Sequence, residues 1–396
     1  MARRSRIVLG LNSGTSADGV DAVACEIGGR GVAMRVRVLL HCHRAYPSAL
    51  RERILAAMAP VRTRTEDICR LHAAIGHAFA HTAAAAIRRL GHRVDLVGSH
   101  GQTVCHLPPG RRASAGASSG TLQLGDAARI AARIGAPVVS DFRQADMAVG
   151  GQGAPLVPWT DWVLFRHARQ GRIIQNIGGI ANLTWLPAGG RMEDVVAFDT
   201  GPGNMVIDAL VRHFTDGREC YDRSGRRAAW GKVDTRLSEA MADDRYLRAS
   251  PPKSCGREQF GEPWVRRLLR RQGRRSITAD DWIATATDRA ARDIARSYVL
   301  HLHPPKGRTL RIDEIILCGG GANNRTLVRR LRDYVRHVWP SARFANTSDH
   351  GIPPQAKEGV SFAMLAAARA DRVPANLPRV TGANRAVVLG QLCEPP

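Results

Sequence analysis

The sequence predicts an α/β protein of two similar halves, each a mixed sheet flanked by helices, and three observations carry this. Glycine-rich loops GLNSGTSADGVD at 10–21, NIGGIAN at 176–182 and CGGGANN at 318–324 each follow a short apolar stretch, Ile7 to Leu9, Ile173 with Ile174, and Ile315 to Leu317. A buried strand that ends in a turn has this signature, with backbone N–H groups of the turn free to face an anion. From Arg172 the order apolar strand, glycine turn, strand begins again, matching the start of the chain in type. Finally, 396 residues are long for one hydrophobic core, so two domains are expected.

Taken in order, the first half reads strand, glycine turn, a strand at 22–27 and a third near 32–40, a meander that suits an actin-like or sugar-kinase half. Residues 66–90 carry apolar side chains at helical spacing and end at Gly91, a C-cap signal. A short strand at 94–97 then delivers Ser99, His100, Gly101, Gln102 and Thr103 to a loop, the pattern of an open α/β sheet. The Ser-, Ala- and Gly-rich stretch 111–120 reads as a mobile hairpin tip. A helix at 126–134, a strand at 138–139 and a long polar loop with Asp141, Arg143 and Asp146 complete this part. The second half continues through a loop FDTGPGN at 198–204, a helix at 205–214, a polar insertion reaching 251–253 and a helix at 278–301. A helix at 355–370 returns to the first half, and 377–389 holds a turn and another short strand. The expected domains are 1–136 with 376–396, and 137–375.

The net charge is +23, which would ordinarily suggest nucleic acid, because clustered basic groups release counterions from phosphates. Here lysine occurs only at Lys232, Lys253, Lys306 and Lys357, and the arginines are scattered over helix surfaces without a zinc-finger, helix-turn-helix or RNP-type signature. Arginine-rich composition is the simpler account, and no nucleic-acid partner is expected. The eight cysteines lie far apart with no C-x-x-C pair, which favours reduced thiols. His41, Cys42 and His43 point to alternate faces of a strand and are assigned no metal. The run after Arg3 and Arg4 is too short for a signal peptide, and no stretch reaches membrane-spanning length, so a cytoplasmic protein without a membrane partner is expected.

A Walker A loop is missing, since GRRAAWGKV at 225–233 has one residue too many before Gly-Lys and no Ser or Thr after it. G-x-G-x-x-G is absent too, which disfavours a dinucleotide fold. What the motifs do resemble is the anhydro-N-acetylmuramic acid kinase family: GLNSGTSADGVD, GSHGQT (98–103), LQLGDAARIA (122–131), DFRQADMAVGGQGAPLVP (141–158), NIGGIANLT, FDTGPGN, PPKSCGREQF (251–260), CGGGANN and NLPRVTGA (376–383) stand in order from end to end. The resemblance implies two actin-like, ribonuclease H-like domains with a central nucleotide and substrate cleft, with ATP and Mg²⁺; the glycine loops from both halves lead us to expect that the domains close around it. It implies an aminosugar substrate in cell-wall recycling, a reaction in which water opens the 1,6-anhydro bridge while ATP phosphorylates the released oxygen, and a homodimer.

Water is a poor nucleophile at an anomeric carbon, so a carboxylate must take its proton. Asp199 is the candidate base: it follows an apolar run, Gly201 and Gly203 leave room beside it, and by resemblance it is the family's catalytic residue. Phosphoryl transfer asks mainly for positioning and charge neutralisation. Gly14, Thr15 and Ser16 would offer donors to the phosphates, within a loop that also holds Ala17, Asp18, Gly19, Val20 and Asp21. Gly178 and Gly179 would form a second phosphate hairpin, with Gly319, Gly320, Gly321 and Asn323 at the adenosine. Asp18, or alternatively Asp21, would hold Mg²⁺ through water. Arg143 suits an acidic sugar's carboxylate, and Glu358 resembles a family acidic residue near the sugar. His100 and Gln102 are candidates for sugar hydroxyls or for packing within their loop.

The chain departs from the family's common pattern at Asn12 (Met), Ala17 (Leu), Cys255 (Thr), Gln355 (Asp) and Gly359 (Ala). Gly359 should loosen its helix by about 1 kcal/mol relative to Ala. Two rivals differ in what they predict: a kinase of another aminosugar phosphorylates a free hydroxyl, and a non-catalytic ATP-binding regulator is indifferent to loss of Asp199.

Overall fold

In the computed structural model, which describes residues 5–14, 16–59, 62–109, 119–272, 276–304 and 309–396, the first apolar run lies inside strand β1 (Arg6–Ser13). Beyond the first glycine loop the chain returns as β2 (Gly19–Gly28), antiparallel to β1, and again as β3 (Arg35–Ala45), antiparallel to β2. On the other side of β1 lie β4 (Leu96–Leu107) and β6 (Val138–Ser140), both parallel. The antiparallel β12 (Gln391–Cys393) forms the edge, and β5 (Gly120–Leu124) folds back on β4 as a hairpin.

The second sheet repeats this plan. Strands β7 (Arg172–Ile177), β8 (Ile180–Leu186) and β9 (Val196–Pro202) form an antiparallel meander, and β10 (Glu314–Cys318) and β11 (Arg343–Asn346) add in parallel beyond β7. Both sheets therefore run third, second, first, fourth strand of their unit, continuing to β6 and β12 in the first sheet and to β11 in the second. Each has its own core: Leu9, Leu11, Ile75, Phe79, Val97 and Val138 in one, and Ile173, Leu183, Phe198, Ile283, Tyr298 and Leu317 in the other.

The two compact units are Met1–Leu164 with Gly351–Pro396, and Phe165–His350. The boundaries expected from sequence, 136/137 and 375/376, fall inside the first of these. The reason is local: β6 hydrogen-bonds to β4, and the helix Lys357–Ala370 packs on β1, β2 and β4.

Helix ends follow their caps. The helix Thr65–Leu90 stops at Gly91 with φ 73°, Asp126 accepts from the N–H groups of Ala128 and Arg129 ahead of the helix Ala127–Ile134, and Thr278 with Asp281 forms a capping box for the helix Ala279–His301. Two expected loops are strands instead. Residues 99–103 belong to β4, because β1 and β5 both pair with this stretch, and Asp199 to Pro202 belong to β9, paired to β8. Polar side chains there mask a period that the ladder enforces regardless. Thr15 and most of the expected hairpin tip, residues 110–118, lie outside the described residues. No helix among the described residues is long and apolar enough to cross a membrane.

The helix Lys357–Ala370 approaches the sheet backbone closely. A Cβ on Gly10 of β1 would overlap the Gly359 carbonyl, one on Gly98 of β4 would overlap the Phe362 carbonyl, and one on Gly359 would overlap Cγ2 of the fully buried Val23. This corrects the expectation that Gly359 merely weakens its helix: the missing methyl is what lets the helix seat. Gly359→Ala should accordingly destabilise the protein by about 1–3 kcal/mol despite its better helix propensity. Urea denaturation checks this, and adding Val23→Ala should recover part of the loss, giving a non-additive pair. A more stable Gly359→Ala protein would refute the packing account.

Candidate active site

In the second unit, β9 carries Asp199 through a sheet whose neighbouring loops converge on it. Its carboxylate Oδ2 accepts the Cys255 N–H at 3.0 Å, its own N–H donates to the Lys253 carbonyl at 3.2 Å, and its carbonyl accepts the Tyr246 hydroxyl at 2.8 Å. Burial pushes the Asp199 carboxyl up to about 6, against the opposing pull of the Cys255 N–H and the Lys253 charge. Lys253 is itself half-buried. Its ammonium donates to the carbonyls of Tyr246 (3.1 Å) and Leu247 (2.9 Å) and lies over the rings of Tyr246 and Phe198.

The glycine motifs of this unit come together around the same strand. Gly178 and Gly179 form the tight turn between β7 and β8, and their carbonyls accept the N–H groups of Gly203, Asn204 and Met205 at the start of the helix Asn204–Phe214. After β10, Gly319 (φ 79°) and Gly321 pack against Asn176 and Ile177, where a side chain would collide. A Cβ on Gly320 would instead meet open space. Asn323 is exposed, while its neighbour Asn324 caps the helix Arg325–Val338 by accepting the Leu327 N–H.

In the first unit the loop between β1 and β2 holds an exposed Ser16 and Asp18, and Ala17 in the left-handed region at φ 49°. Gly14 also faces open space, so packing does not account for it. Gly19 does serve packing, since a Cβ there would overlap the Arg44 carbonyl, and Val20 is buried. Asp21 meets two imidazoles from one face of β3, His41 Nε2 at 2.9 Å and His43 Nδ1 at 3.3 Å, both on Oδ1. Gln102 is fully buried. It accepts from Ser13 Oγ at 2.6 Å and donates to the Gly14 carbonyl at 3.2 Å, so the structure makes it a brace for the glycine loop rather than a group open to a sugar.

Glu358 accepts from Asn12 Nδ2 at 3.1 Å. Crowding by protein raises its carboxyl, with Lys357, Arg143 and Asn12 opposing and Asp21 adding to the rise. Arg143 donates to the Gly153 carbonyl at 2.8 Å and to His100 Nε2 at 2.9 Å, and burial lowers it to about 10. His100 therefore accepts at Nε2. Burial and the adjacent guanidinium hold it well below its ordinary pKa, as a neutral ring stacked on Phe362 at 4.5 Å. The loop bearing Arg143 is fixed by Asp146, fully buried, which accepts from the Gly153 N–H, Asn376 Nδ2 and Thr381 Oγ1 at 2.7 to 2.8 Å.

A family model, anhydro-N-acetylmuramic acid kinase, matches residues 6–395. This chain belongs to the anhydro-N-acetylmuramic acid kinase family. The family's protein from Salinibacter ruber is 43% identical over 99% of this chain and 97% of its own length. That from Gloeobacter violaceus is 43% identical over 98% of each, and that from Caldanaerobacter subterraneus is 38% identical over 98% and 97%. The chain is thus a sugar kinase.

The residues that surround Asp199 in this kinase carry little signal in the sequence. PPKSCGREQF was visible as a motif, yet the contacts of Lys253 with the carbonyls of Tyr246 and Leu247 and with His301 had no local signal. Nor did pairing of Asp21 with His41 and His43, although their i, i+2 spacing on a strand places them on one face.

The raised Asp199 carboxyl has a consequence for stability. The folded state holds the proton more tightly than the unfolded chain, so its favourable contribution is complete below the ordinary carboxylate pKa of about 4 and is lost as pH rises through about 6. At neutral pH the ionised, buried carboxylate then disfavours folding by about 1–3 kcal/mol. Asp199→Asn should melt higher than wild type at pH 7, with the two curves converging toward pH 4. A variant no more stable at pH 7 would show that Asp199 is not strained by burial.

Proposed function

We propose that this chain converts 1,6-anhydro-N-acetylmuramic acid, ATP and water to N-acetylmuramate 6-phosphate and ADP, a step in the recycling of cell-wall peptidoglycan. Membership of the family supports the substrate, and Asp199 is the observation that carries the chemistry. A carboxyl held near 6 by burial is ionised at neutral pH yet basic enough to take a proton as a bond forms. Water oxygen bonds to the anomeric carbon as the bond from that carbon to O6 breaks. Asp199 takes the proton released by water, and O6 takes the terminal phosphoryl group as its bond to ADP breaks.

The remaining assignments follow from residue chemistry. Gly14 and Gly320, bare toward open space, leave backbone accessible to a nucleotide, together with Ser16, Gly178 and Gly179. Among the described residues no three His, Cys, Asp or Glu side chains converge as a metal cage. That suits Mg²⁺, which keeps much of its water and binds mainly through phosphates. Asp18, exposed in the first loop, would hold it through water, and the ion would supply neutralisation of phosphate charge. Arg143 supplies a cation for the sugar's lactyl carboxylate, and Glu358 an acceptor for its hydroxyl or amide hydrogens. By the family resemblance the enzyme acts as a homodimer in the cytoplasm.

An ADP-release assay with Mg²⁺, ATP and the anhydro sugar should show sugar-dependent turnover that falls by about 10²–10⁴-fold in Asp199→Asn. In water labelled with ¹⁸O, one labelled atom should appear at C1 of the product. Turnover without label would mean transfer to a free hydroxyl of another aminosugar, and ATP binding with no turnover on any sugar would favour a regulator.

A further inference from the structure

Segment 253–255 was assigned no task above, yet it touches Asp199 twice. We propose that Lys253 is a positioning residue for Asp199: its ammonium pins the segment to the helix Asp244–Arg248, and the pinned segment presents the Cys255 N–H to the carboxylate. The proposal rests on Asp199 being the base, as set out above.

The contacts close a ring. From β9, Asp199 gives its N–H to the Lys253 carbonyl and takes the Cys255 N–H on Oδ2. Lys253 Nζ reaches the carbonyls of Tyr246 and Leu247, which lie in the last turn of their helix, where the Tyr246 carbonyl also accepts the Ala249 N–H at 3.2 Å. Tyr246 returns to β9 by donating its hydroxyl to the Asp199 carbonyl. An ammonium brings three donors on one compact centre, and here it sits 4.8 Å from the Tyr246 ring and 5.4 Å from that of Phe198, the residue before Asp199. Cation–π attraction holds it there as well as the carbonyls do. A glutamine there would lack the charge, and a methionine would lack donors.

The groups facing Lys253 come from four elements. His301, on the helix Ala279–His301, places Nε2 at 3.1 Å from Nζ and 2.7 Å from the Leu247 carbonyl. It stays neutral, lowered by burial and by the Lys253 charge. Asp293 on the same helix, Asp199 on β9 and Cys255 in the segment act on the ammonium as negative partners, and Tyr246 flanks it. Burial outweighs these partners and brings Lys253 down to about 8, so the anchor loses its charge within an accessible pH range.

The test follows the Asp199 carboxyl carbon by ¹³C NMR in the full chain, assigned with Asp199→Asn, alongside the pH dependence of kcat/KM. In wild type the Asp199 signal should titrate once near 6 and shift a second time near 8 as Lys253 loses its proton. In Lys253→Met the first midpoint should rise by about one pH unit, because the charged carboxylate loses its fixed donor and the nearby cation. The acid limb of kcat/KM should rise with it, and kcat should fall while KM changes little. An unmoved midpoint in folded Lys253→Met overturns the proposal. Should that variant not fold, Lys253→Ala is followed in the same way, and an unmoved midpoint there overturns the proposal equally. If the Asp199 midpoint moves but the acid limb of the rate does not, Lys253 still positions Asp199, and it is the assignment of Asp199 as base that fails.

Discussion

The first unit depends on one close approach, in which the helix Lys357–Ala370 lies against the backbones of β1 and β4 at positions where the strands carry glycine. Gly10, Gly98 and Gly359 remove three methyl groups from that interface. Everything the helix contributes follows from its depth. Lys357 meets Asp161 at 2.7 Å with both groups almost fully buried, Glu358 reaches Asn12, and Phe362 stacks under His100. A buried ion pair adds little net stability, since desolvation offsets most of its attraction, but breaking it is expensive. Its value here is register: a helix rotated or shifted along the sheet would leave Lys357 buried and unpaired.

The second unit solves a different problem. The role proposed for Asp199 as base asks for a carboxylate both partly desolvated and reliably ionised, and these demands conflict, because removing water raises a carboxyl pKa. Asp199 reconciles them by accepting a backbone N–H and by lying near one cation, so burial lifts its pKa to about 6 rather than further. Such a group is a stability liability at neutral pH, which the proposed role as base would account for. Cys255, where the family commonly has threonine, contributes its N–H to Asp199, and that contact does not depend on which side chain the residue bears.

Much of this was legible in the sequence. Apolar runs ending in glycine turns marked the strands, and their recurrence after Arg172 marked the duplication, because both signals are local and physical. Helix boundaries were close wherever a cap was written in the residues, as at Gly91, Asp126 and Thr278. The strand character of 99–103 was hidden, since these residues are polar and owe their ladder to β1 and β5. The unit boundaries were hidden for a similar reason: β6 is only three residues long, and its place is decided by pairing with β4, which composition does not encode. Among the proposed site residues, Asp199 and the glycine loops stand in motifs that the sequence displays. The tasks of Gln102, His41 and His43 were not legible, because each depends on a partner across the sheet.

One further consequence comes from the turn between β7 and β8. The carbonyls of Gly178 and Gly179 are the acceptors for the first N–H groups of the helix Asn204–Phe214, and that helix begins immediately after the strand that bears Asp199. Turn, helix start and strand end are thus tied by main-chain hydrogen bonds, so a substitution that distorts the turn would disturb the end of the strand beside Asp199 as well as the helix.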